Sequence, residues 1–173
     1  MLCLIFTVPS QAAPDWFLME NVPDAPLPQV LGYSVQRELI CDHWVGGETG
    51  RKRSFSLGRP GPGLRFHVET LALHTPNPHP AILASGGSRE RPVKIGGSGK
   101  KKRTYTSGHL YSAAYFAKAI AHQGLPADFL SDAPLTIEGK CRVVGNGVPL
   151  PMGRAVAKAV KRAIGMEVLE AAE

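Results

Sequence analysis

Two segments near the carboxy terminus carry apolar residues at steps of three and four, the spacing that places them on one face of an α-helix. The first runs from a predicted N-cap at Ser107 to a stop at Gly124 and Pro126, and the second follows Pro149-Leu150-Pro151 and ends near Gly165. The first stripe consists of Leu110, Ala113, Ala114, Ala117, Ile120 and Ala121. The second consists of Met152, Ala155, Val156, Ala159, Val160, Ala163 and Ile164. Both patterns predict amphipathic helices.

Shorter runs nearer the amino terminus predict strands. Residues 16–19 are continuously apolar, which is typical of a strand buried on both faces of a parallel sheet. Residues 33–45 interleave β-branched and aromatic residues with polar ones, and residues 53–57 form a second run after a turn at 48–50. These two runs predict a hairpin or two successive strands of one sheet. Together with the helices, they indicate an α/β chain.

A glycine- and proline-rich stretch, residues 58–63, interrupts the pattern and predicts a boundary between residues 58 and 59. The following residues, up to 106, show no helical period and contain several prolines and paired glycines. We therefore predict three regions. Residues 1–58 and 107–173 carry the strands and helices, and residues 59–106 form a loop-rich insertion between them.

The charge of the chain is concentrated in one place. The 173 residues are 43% apolar and 20% charged, so one globular domain is expected. The net charge of +6 comes from positions 89–103, because the remaining charges cancel. Such a stretch attracts polyanions, either nucleic-acid phosphates or anionic lipid headgroups, and a solvated loop is the alternative. The candidate DNA-binding residues are Arg89, Arg91, Lys94, Lys100, Lys101, Lys102 and Arg103.

Membrane and secreted classes are disfavoured. No run of about 18 apolar residues is present, so a membrane-spanning helix is not expected. Residues 1–13 resemble a weak signal peptide, but they lack a positive amino-terminal region and Pro9 interrupts the apolar run. The cysteines at positions 3, 41 and 141 form no CxxC pair, which argues against a disulfide scaffold and a zinc site. We therefore expect a cytoplasmic protein without a metal.

Three short stretches carry side chains suited to binding or catalysis. Glu20 follows the first apolar run, at the edge where parallel sheets bind ligands, although for this residue taken alone a solvated strand terminus is the better explanation. Arg51 and Arg53 share a face of an extended segment and can grip an anion, and a surface charge pair is the alternative. Residues 145–149 form a glycine turn that can approach a ligand, although such turns are common before helices.

Taken in order, these stretches resemble the later motifs of the DNA (cytosine-5) methyltransferases. The matching segments are Glu20-Asn21-Val22, Arg51-x-Arg53-x-Phe55, the elbow Gln123-Gly124-Leu125-Pro126-x-Asp128-Phe129, and Arg142-Val143-Val144-Gly145-Asn146-Gly147-Val148-Pro149. The resemblance spans about residues 14–164 and leaves residues 59–106 as the target-recognition region. It implies a partial catalytic domain in residues 1–58 and a return to that domain in residues 107–173. The implied fold is the carboxy-terminal part of a Rossmann-like, S-adenosylmethionine-dependent methyltransferase.

The resemblance also implies a chemistry and roles for particular residues. In that family a cysteine thiolate attacks C6 of a cytosine flipped out of duplex DNA, S-adenosylmethionine donates a methyl group to the activated C5, and elimination of the C5 proton and the thiolate restores the ring. The implied catalytic residues are Glu20, which would bond to N3 and the exocyclic amine, and Arg53, which would support O2. The implied substrate-binding residues are Asn21, Val22 and Arg51. The implied cofactor-binding residues are Gly145, Asn146, Gly147 and Val148.

Two features depart from the family pattern. Thr49 stands where the pattern Gln-x-Arg-x-Arg has Gln. The Phe-x-Gly-x-Gly cofactor loop and the Pro-Cys nucleophile of the family precede the Glu-Asn-Val segment, but here Gly32 is the first glycine and no cysteine follows a proline. Three explanations stay open: a truncated or frame-disrupted remnant, one half of a split enzyme, or an incomplete gene model.

The sequence thus predicts a truncated or split DNA cytosine-5 methyltransferase that is inactive alone. A non-catalytic DNA-binding module and a decaying remnant without a selected function are the alternatives. A doubly wound sheet without its first strands would leave an edge uncovered, so we expect poor solubility or obligate association. The expected partners are double-stranded DNA and a complementary amino-terminal half, with no membrane and no metal.

Overall fold

The computed structural model of the protein describes residues 14–71, 78–84 and 111–165. Within them, the chain forms strand β1 (Phe17–Asn21), strand β2 (Tyr33–Cys41), a 3₁₀-helix (Asp42–Val45) and strand β3 (Lys52–Pro60). Helices α1 (Ala113–His122), α2 (Ile137–Asn146) and α3 (Leu150–Ala163) follow. The prediction of a chain with both strands and helices is therefore confirmed.

The described strands form one antiparallel sheet in the order β1-β3-β2. The central strand β3 pairs with β1, where Glu20 stands opposite Phe55. It also pairs with β2 along the full length of both strands, ending with Cys41 opposite Lys52. Because β3 is antiparallel to both neighbours, β1 and β2 run in the same direction on either side of it.

Helix α3 covers one face of this sheet. The buried residues of β2, β3, α3 and the segment 64–68 form a single apolar cluster. Its members are Ile40, Phe55, Leu57, Leu64, Phe66, Val68, Met152, Val156, Ala159 and Val160. Ala155, Ala163 and Ile164 pack against it. The apolar stripe predicted for the last helix is therefore confirmed.

Within the described residues, the loop after β1 covers the opposite face of the sheet. Ser54 Oγ donates a hydrogen bond of 3.2 Å to the carbonyl oxygen of Pro23. The guanidinium of Arg37 donates bonds of 2.6 Å to the carbonyl oxygens of Ala25 and Pro26. This face is therefore held by side-chain bonds to loop backbone, which explains why polar residues of β3 are buried there.

Helices α1 and α2 enclose a second, smaller core. Its buried residues are Ile82, Ala119, Ile120 and Val144. The buried side chain of Gln123, just after α1, donates a hydrogen bond of 2.6 Å from Nε2 to the carbonyl oxygen of Val144. The backbone carbonyl of Gln123 accepts a bond of 2.9 Å from the amide of Leu150, the first residue of α3. The elbow after α1 therefore holds the three helices together.

The sequence predicted a Rossmann-like, parallel sheet. This prediction is wrong for the described residues, because every strand pairing in their sheet is antiparallel. Strand β1 is an edge strand whose residues alternate between half-buried and exposed, rather than a strand buried on both faces. The run of residues 16–19 misled the prediction because its exposed positions, Trp16 and Leu18, are apolar too. Strand β3 also continues to Pro60, three residues into the predicted breaker of residues 58–63.

The predicted start of the first helix is wrong. Helix α1 begins at Ala113, and Ser112 caps it by accepting a hydrogen bond of 3.0 Å from the amide of Tyr115. Ser107 and Leu110 lie outside the described residues. Among the rest of the predicted stripe, Ile120 is buried, whereas the alanines at 113, 114, 117 and 121 are exposed. Alanine loses little when exposed in a helix, so it marks the buried face poorly.

Helix α2 was not predicted. Thr136 caps it by accepting a hydrogen bond of 3.1 Å from the amide of Gly139. Cys141 and Val144 face the core, three positions apart. Across residues 14–71, 78–84 and 111–165, no helix combines the length and apolarity needed to cross a membrane.

Candidate functional site

The two predicted catalytic residues, Glu20 and Arg53, are in direct contact. Glu20 stands opposite Phe55, so Arg53, two positions earlier on β3, is its diagonal neighbour on the same face of the sheet. Arg53 Nε lies 2.6 Å from Glu20 Oε1, and the two side chains are 21% and 37% exposed. This charge-assisted bond therefore lies at a solvent-accessible edge, where a ligand can reach both groups.

Arg51, predicted to bind the substrate base, is buried and joins two distant backbone segments. Its side chain donates hydrogen bonds of 3.0 Å to the carbonyl oxygen of Ile82 and 3.3 Å to that of Asn146. Only 3% of Arg51 is exposed. A guanidinium can reach both oxygens at once because its donors form a rigid planar fork.

Arg51 also belongs to a cluster of charged groups. Its pKa is lowered to about 10, mainly by burial and next by the positive charge of Arg53, whereas Glu20 and Asp42 oppose the shift. Arg51 therefore stays protonated at neutral pH. The two guanidinium groups and two carboxylates interact electrostatically around the beginning of β3.

Asp42 and Thr49 hold the turn that leads into Arg51, and both are buried. Asp42 Oδ2 accepts hydrogen bonds of 3.0 Å from the Thr49 amide and 2.7 Å from its hydroxyl. Burial raises the pKa of Asp42, although the bonds from Thr49 and the charge of Arg51 lower it. Thr49, which replaces the Gln of the family pattern, thus fixes the turn. Asp42 was not predicted as a site residue; its signal in the sequence is an acidic residue directly after the apolar run Leu39-Ile40-Cys41.

The predicted cofactor-binding residues lie at the end of α2 and in the connection to α3, rather than in a free turn. Asn146 is the last residue of α2 and is exposed, whereas Gly147 and Val148 are half-buried. Gly145 is buried against the preceding loop, where an added Cβ would come within 2.4 Å of the Ala84 amide nitrogen. Close packing against this loop therefore explains why position 145 is a glycine. The surface at residues 146–148 remains accessible.

The three predicted motifs meet near the beginning of β3. Glu20 bonds to Arg53, and both influence the pKa of Arg51. Arg51 in turn bonds to Asn146 across 95 residues of sequence. The glutamate, the arginine pair and the asparagine turn are therefore contiguous in space.

The remaining predicted substrate-binding residues end strand β1. Asn21 Oδ1 accepts a hydrogen bond of 2.8 Å from the amide of Val22, whose side chain is exposed. The cavity of about 300 Å³ beside Arg59 and the one of about 330 Å³ beside Leu71 are not lined by Glu20, Arg53 or Asn146. Glu20 and Asn146 are themselves exposed, so the predicted site is accessible from solvent.

Cys41 and Cys141 are buried free thiols. Burial raises the pKa of Cys141, which is the opposite of what a nucleophilic thiolate requires. Cys3 lies outside the described residues. The seven predicted DNA-binding residues, Arg89, Arg91, Lys94, Lys100, Lys101, Lys102 and Arg103, also lie outside them.

Comparison with known proteins finds no match to this chain, either among protein-family models or among curated proteins. The methyltransferase hypothesis therefore depends on the motifs themselves and on the way they meet in the fold.

Proposed function

We propose that this chain supplies the cytosine-binding half of a DNA cytosine-5 methyltransferase. The observation that carries the proposal is the contact of Arg53 with Glu20 at 2.6 Å, beside an Arg51 that bonds to Asn146. The resemblance assigns these residues to one flipped base and to the adjoining cofactor. Their contiguity is the arrangement that such a site requires.

The polar groups of Glu20 and Arg53 suit the edge of a cytosine. Glu20 would bond to N3 and the exocyclic amine, and Arg53 would support O2. Negative charge builds on N3 and O2 as a thiolate adds to C6, and a proton shared by Glu20 together with the guanidinium charge offsets it. The existing Glu20–Arg53 bond holds both groups in place before the base arrives.

The residues at the end of α2 fit a cofactor contact in part. The loop at Leu83 and Ala84 occupies the space beside the buried Gly145, but Asn146, Gly147 and Val148 are accessible. These three residues would contact the methionine part of S-adenosylmethionine, which supplies the methyl group. Arg51 positions them by holding the Asn146 carbonyl oxygen.

The thiolate must come from outside these 173 residues. None of the 173 residues forms a Pro-Cys pair, and the two described cysteines are buried. Within the described residues, β1 pairs with β3 on one side, and Trp16 and Leu18 are exposed. A further strand could add to the other edge of β1, which supports a complementary amino-terminal half as the partner.

Reconstituted methyl transfer tests the proposal. The full chain is mixed with an amino-terminal methyltransferase half that carries Phe-x-Gly-x-Gly and Pro-Cys, and transfer from S-adenosylmethionine to duplex DNA is measured. We expect transfer only when both pieces are present. Glu20→Gln should lower the rate by at least about 100-fold, because the proton shared with N3 is lost.

Glu138→Gln is the matched control, since Glu138 forms an exposed ion pair with Arg142 on α2. This variant should transfer methyl groups at the wild-type rate. No transfer from any folded pair would contradict the proposal. DNA binding that weakens steeply with salt and survives Glu20→Gln, without methyl transfer, would instead favour the non-catalytic DNA-binding module.

A further inference from the structure

A second polar cluster lies where the β2–β3 turn, residues 78–80 and the end of α1 meet. Glu48, His79 and His122 each offer one ligand atom, and these atoms all lie within 4.8 Å of one another. His122 Nδ1 is 2.8 Å from Glu48 Oε2. The imidazole rings of His79 and His122 have centroids 4.3 Å apart.

Backbone hydrogen bonds fix the relative positions of the two segments that carry Glu48 and His79. The His79 amide donates a hydrogen bond of 2.9 Å to the Glu48 carbonyl oxygen, and the Gly50 amide donates one of 2.8 Å to the His79 carbonyl oxygen. Thr49 forms a β-bridge with His79 and is itself anchored by buried Asp42. The cluster is thus built on fixed backbone rather than on freely moving side chains.

We propose that Glu48, His79 and His122 bind a first-row divalent cation, represented by Zn²⁺, with water at the fourth position. Two imidazole nitrogens and one carboxylate oxygen form a ligand set that such ions prefer. With metal–ligand bonds of about 2.0–2.1 Å, the ligand atoms of a tetrahedral site lie roughly 3.3 Å apart. That spacing lies between the 2.8 Å of the His122–Glu48 pair and the 4.8 Å limit of the cluster.

Exposure of the cluster suits a binding site. The side chains of Glu48 and His122 are 62% and 12% exposed, so an ion can enter and a water can complete its coordination. A hydrogen bond between Glu48 and His122 alone would not require the His79 ring to lie 4.3 Å from the His122 ring, at a tilt of 47°. A bound ion accounts for all three side chains.

The ion would also stiffen the segment that Arg51 contacts. It would tie residues 78–80 to the β2–β3 turn, and Ile82, two positions beyond, accepts the hydrogen bond from Arg51. The proposed ion therefore has a structural role, and this inference does not depend on the methyltransferase proposal.

Zinc titration of the tag-free full chain, stripped with a chelator, tests the inference by calorimetry. We expect one Zn²⁺ per chain and a higher melting temperature, with Co²⁺ giving the absorption of a four-coordinate site. His79→Ala and His122→Ala should each weaken Zn²⁺ binding by at least about 100-fold, the upper end of what losing an outer partner costs. Mg²⁺ should not compete, because it prefers oxygen ligands.

His67→Ala is the matched control, since His67 pairs with Glu38 at 3.3 Å in a second His–Glu contact. It should bind Zn²⁺ as tightly as the wild type. If a histidine variant fails to fold, Glu48→Gln tests the site in its place. The glutamine amide can still bond to His122 but binds metal poorly, so Zn²⁺ binding should weaken while the fold is kept. The inference would be overturned if the wild type bound no Zn²⁺, or if folded His79→Ala or Glu48→Gln bound it with wild-type affinity. Loss of Zn²⁺ binding in Cys3→Ser would overturn it too.

Discussion

Arg51 and Asn146, 95 residues apart in the chain, are joined by a hydrogen bond of 3.3 Å from the guanidinium of Arg51 to the backbone carbonyl of Asn146. This bond connects the beginning of β3 to the end of α2. Arg51 also bonds to Ile82 and interacts with the Glu20–Arg53 pair through its charge. The proposed base-binding and cofactor-binding surfaces are therefore held together by one buried side chain.

Loss of Arg51 should destabilise the fold strongly. Arg51→Ala removes a positive charge that lowers the pKa of the buried Asp42 and leaves two carbonyl oxygens without their donor, so we expect the free energy of unfolding to fall by about 3–5 kcal/mol. Arg51→Lys keeps the charge but not the planar fork and should cost about 1–3 kcal/mol. Urea unfolding measures both. Arg142→Ala, in an exposed ion pair on α2, is the control and should change nothing measurable.

The Glu20–Arg53 pair should contribute little to stability, because both side chains are partly exposed. A double-mutant cycle of Glu20→Gln and Arg53→Gln, followed by urea unfolding, should give a coupling energy of about 0.2–1 kcal/mol. The variants then remain folded, and their effect on methyl transfer reports on chemistry. A coupling several times larger would assign the pair a structural role instead.

Gly145 and Gly153 should respond oppositely to alanine. An added Cβ at Gly145 meets the backbone of Leu83 and Ala84 at 2.4–2.6 Å, whereas at Gly153 within α3 it meets nothing within 4 Å. Gly145→Ala should therefore cost about 1–3 kcal/mol through overpacking. Gly153→Ala should gain about 0.4–1 kcal/mol through helix propensity and reduced chain entropy. Thermal unfolding of the two variants checks the contrast, and equal effects would contradict the packing of the loop on α2.

Asp42 should give the fold a specific pH dependence. Its pKa is raised above the ordinary 3.8 by burial, so the folded state holds the proton more tightly than the unfolded chain. Ionised Asp42 then costs stability at neutral pH, and this cost disappears as the pH falls through the raised pKa toward 3.8. With a chelator present, the stability of the wild type relative to Asp42→Asn should rise as the pH is lowered. A relative fall over that range would contradict the burial of Asp42.

The sequence predicted elements well where large apolar residues repeat. The stripe of α3 contains Met152, Val156 and Val160, whose burial is favourable enough to fix the face of the helix. The predicted stripe of α1 consisted largely of alanines, and of its members in the described residues only Ile120 is buried, together with Ala119, which was not predicted. Helix α2 was missed although Thr136 is a good N-cap, because two glycines and several polar residues weaken its helical period.

The site was predictable only as separate pieces. Glu20 and the arginine pair could be selected from residue type and spacing, but their contact depends on the antiparallel register that places Arg53 diagonal to Glu20. The cluster of Glu48, His79 and His122 was not predicted, since its members come from three segments and show no ligand spacing along the chain. Such groups meet through tertiary packing, which a sequence pattern does not contain.

The identity of the methylated base tests the proposed convergence of Glu20 and Arg53 on one flipped cytosine, beside the Asn146 turn proposed to contact the cofactor. Duplex DNA is incubated with S-adenosylmethionine, the full chain and the amino-terminal half, then digested to nucleosides and measured by mass spectrometry. The expected product is 5-methylcytosine, absent when either piece is omitted and strongly reduced in Glu20→Gln and Arg53→Lys. Methylated adenine, cytosine methylated on its exocyclic nitrogen, or unmethylated DNA from a folded pair would contradict this account.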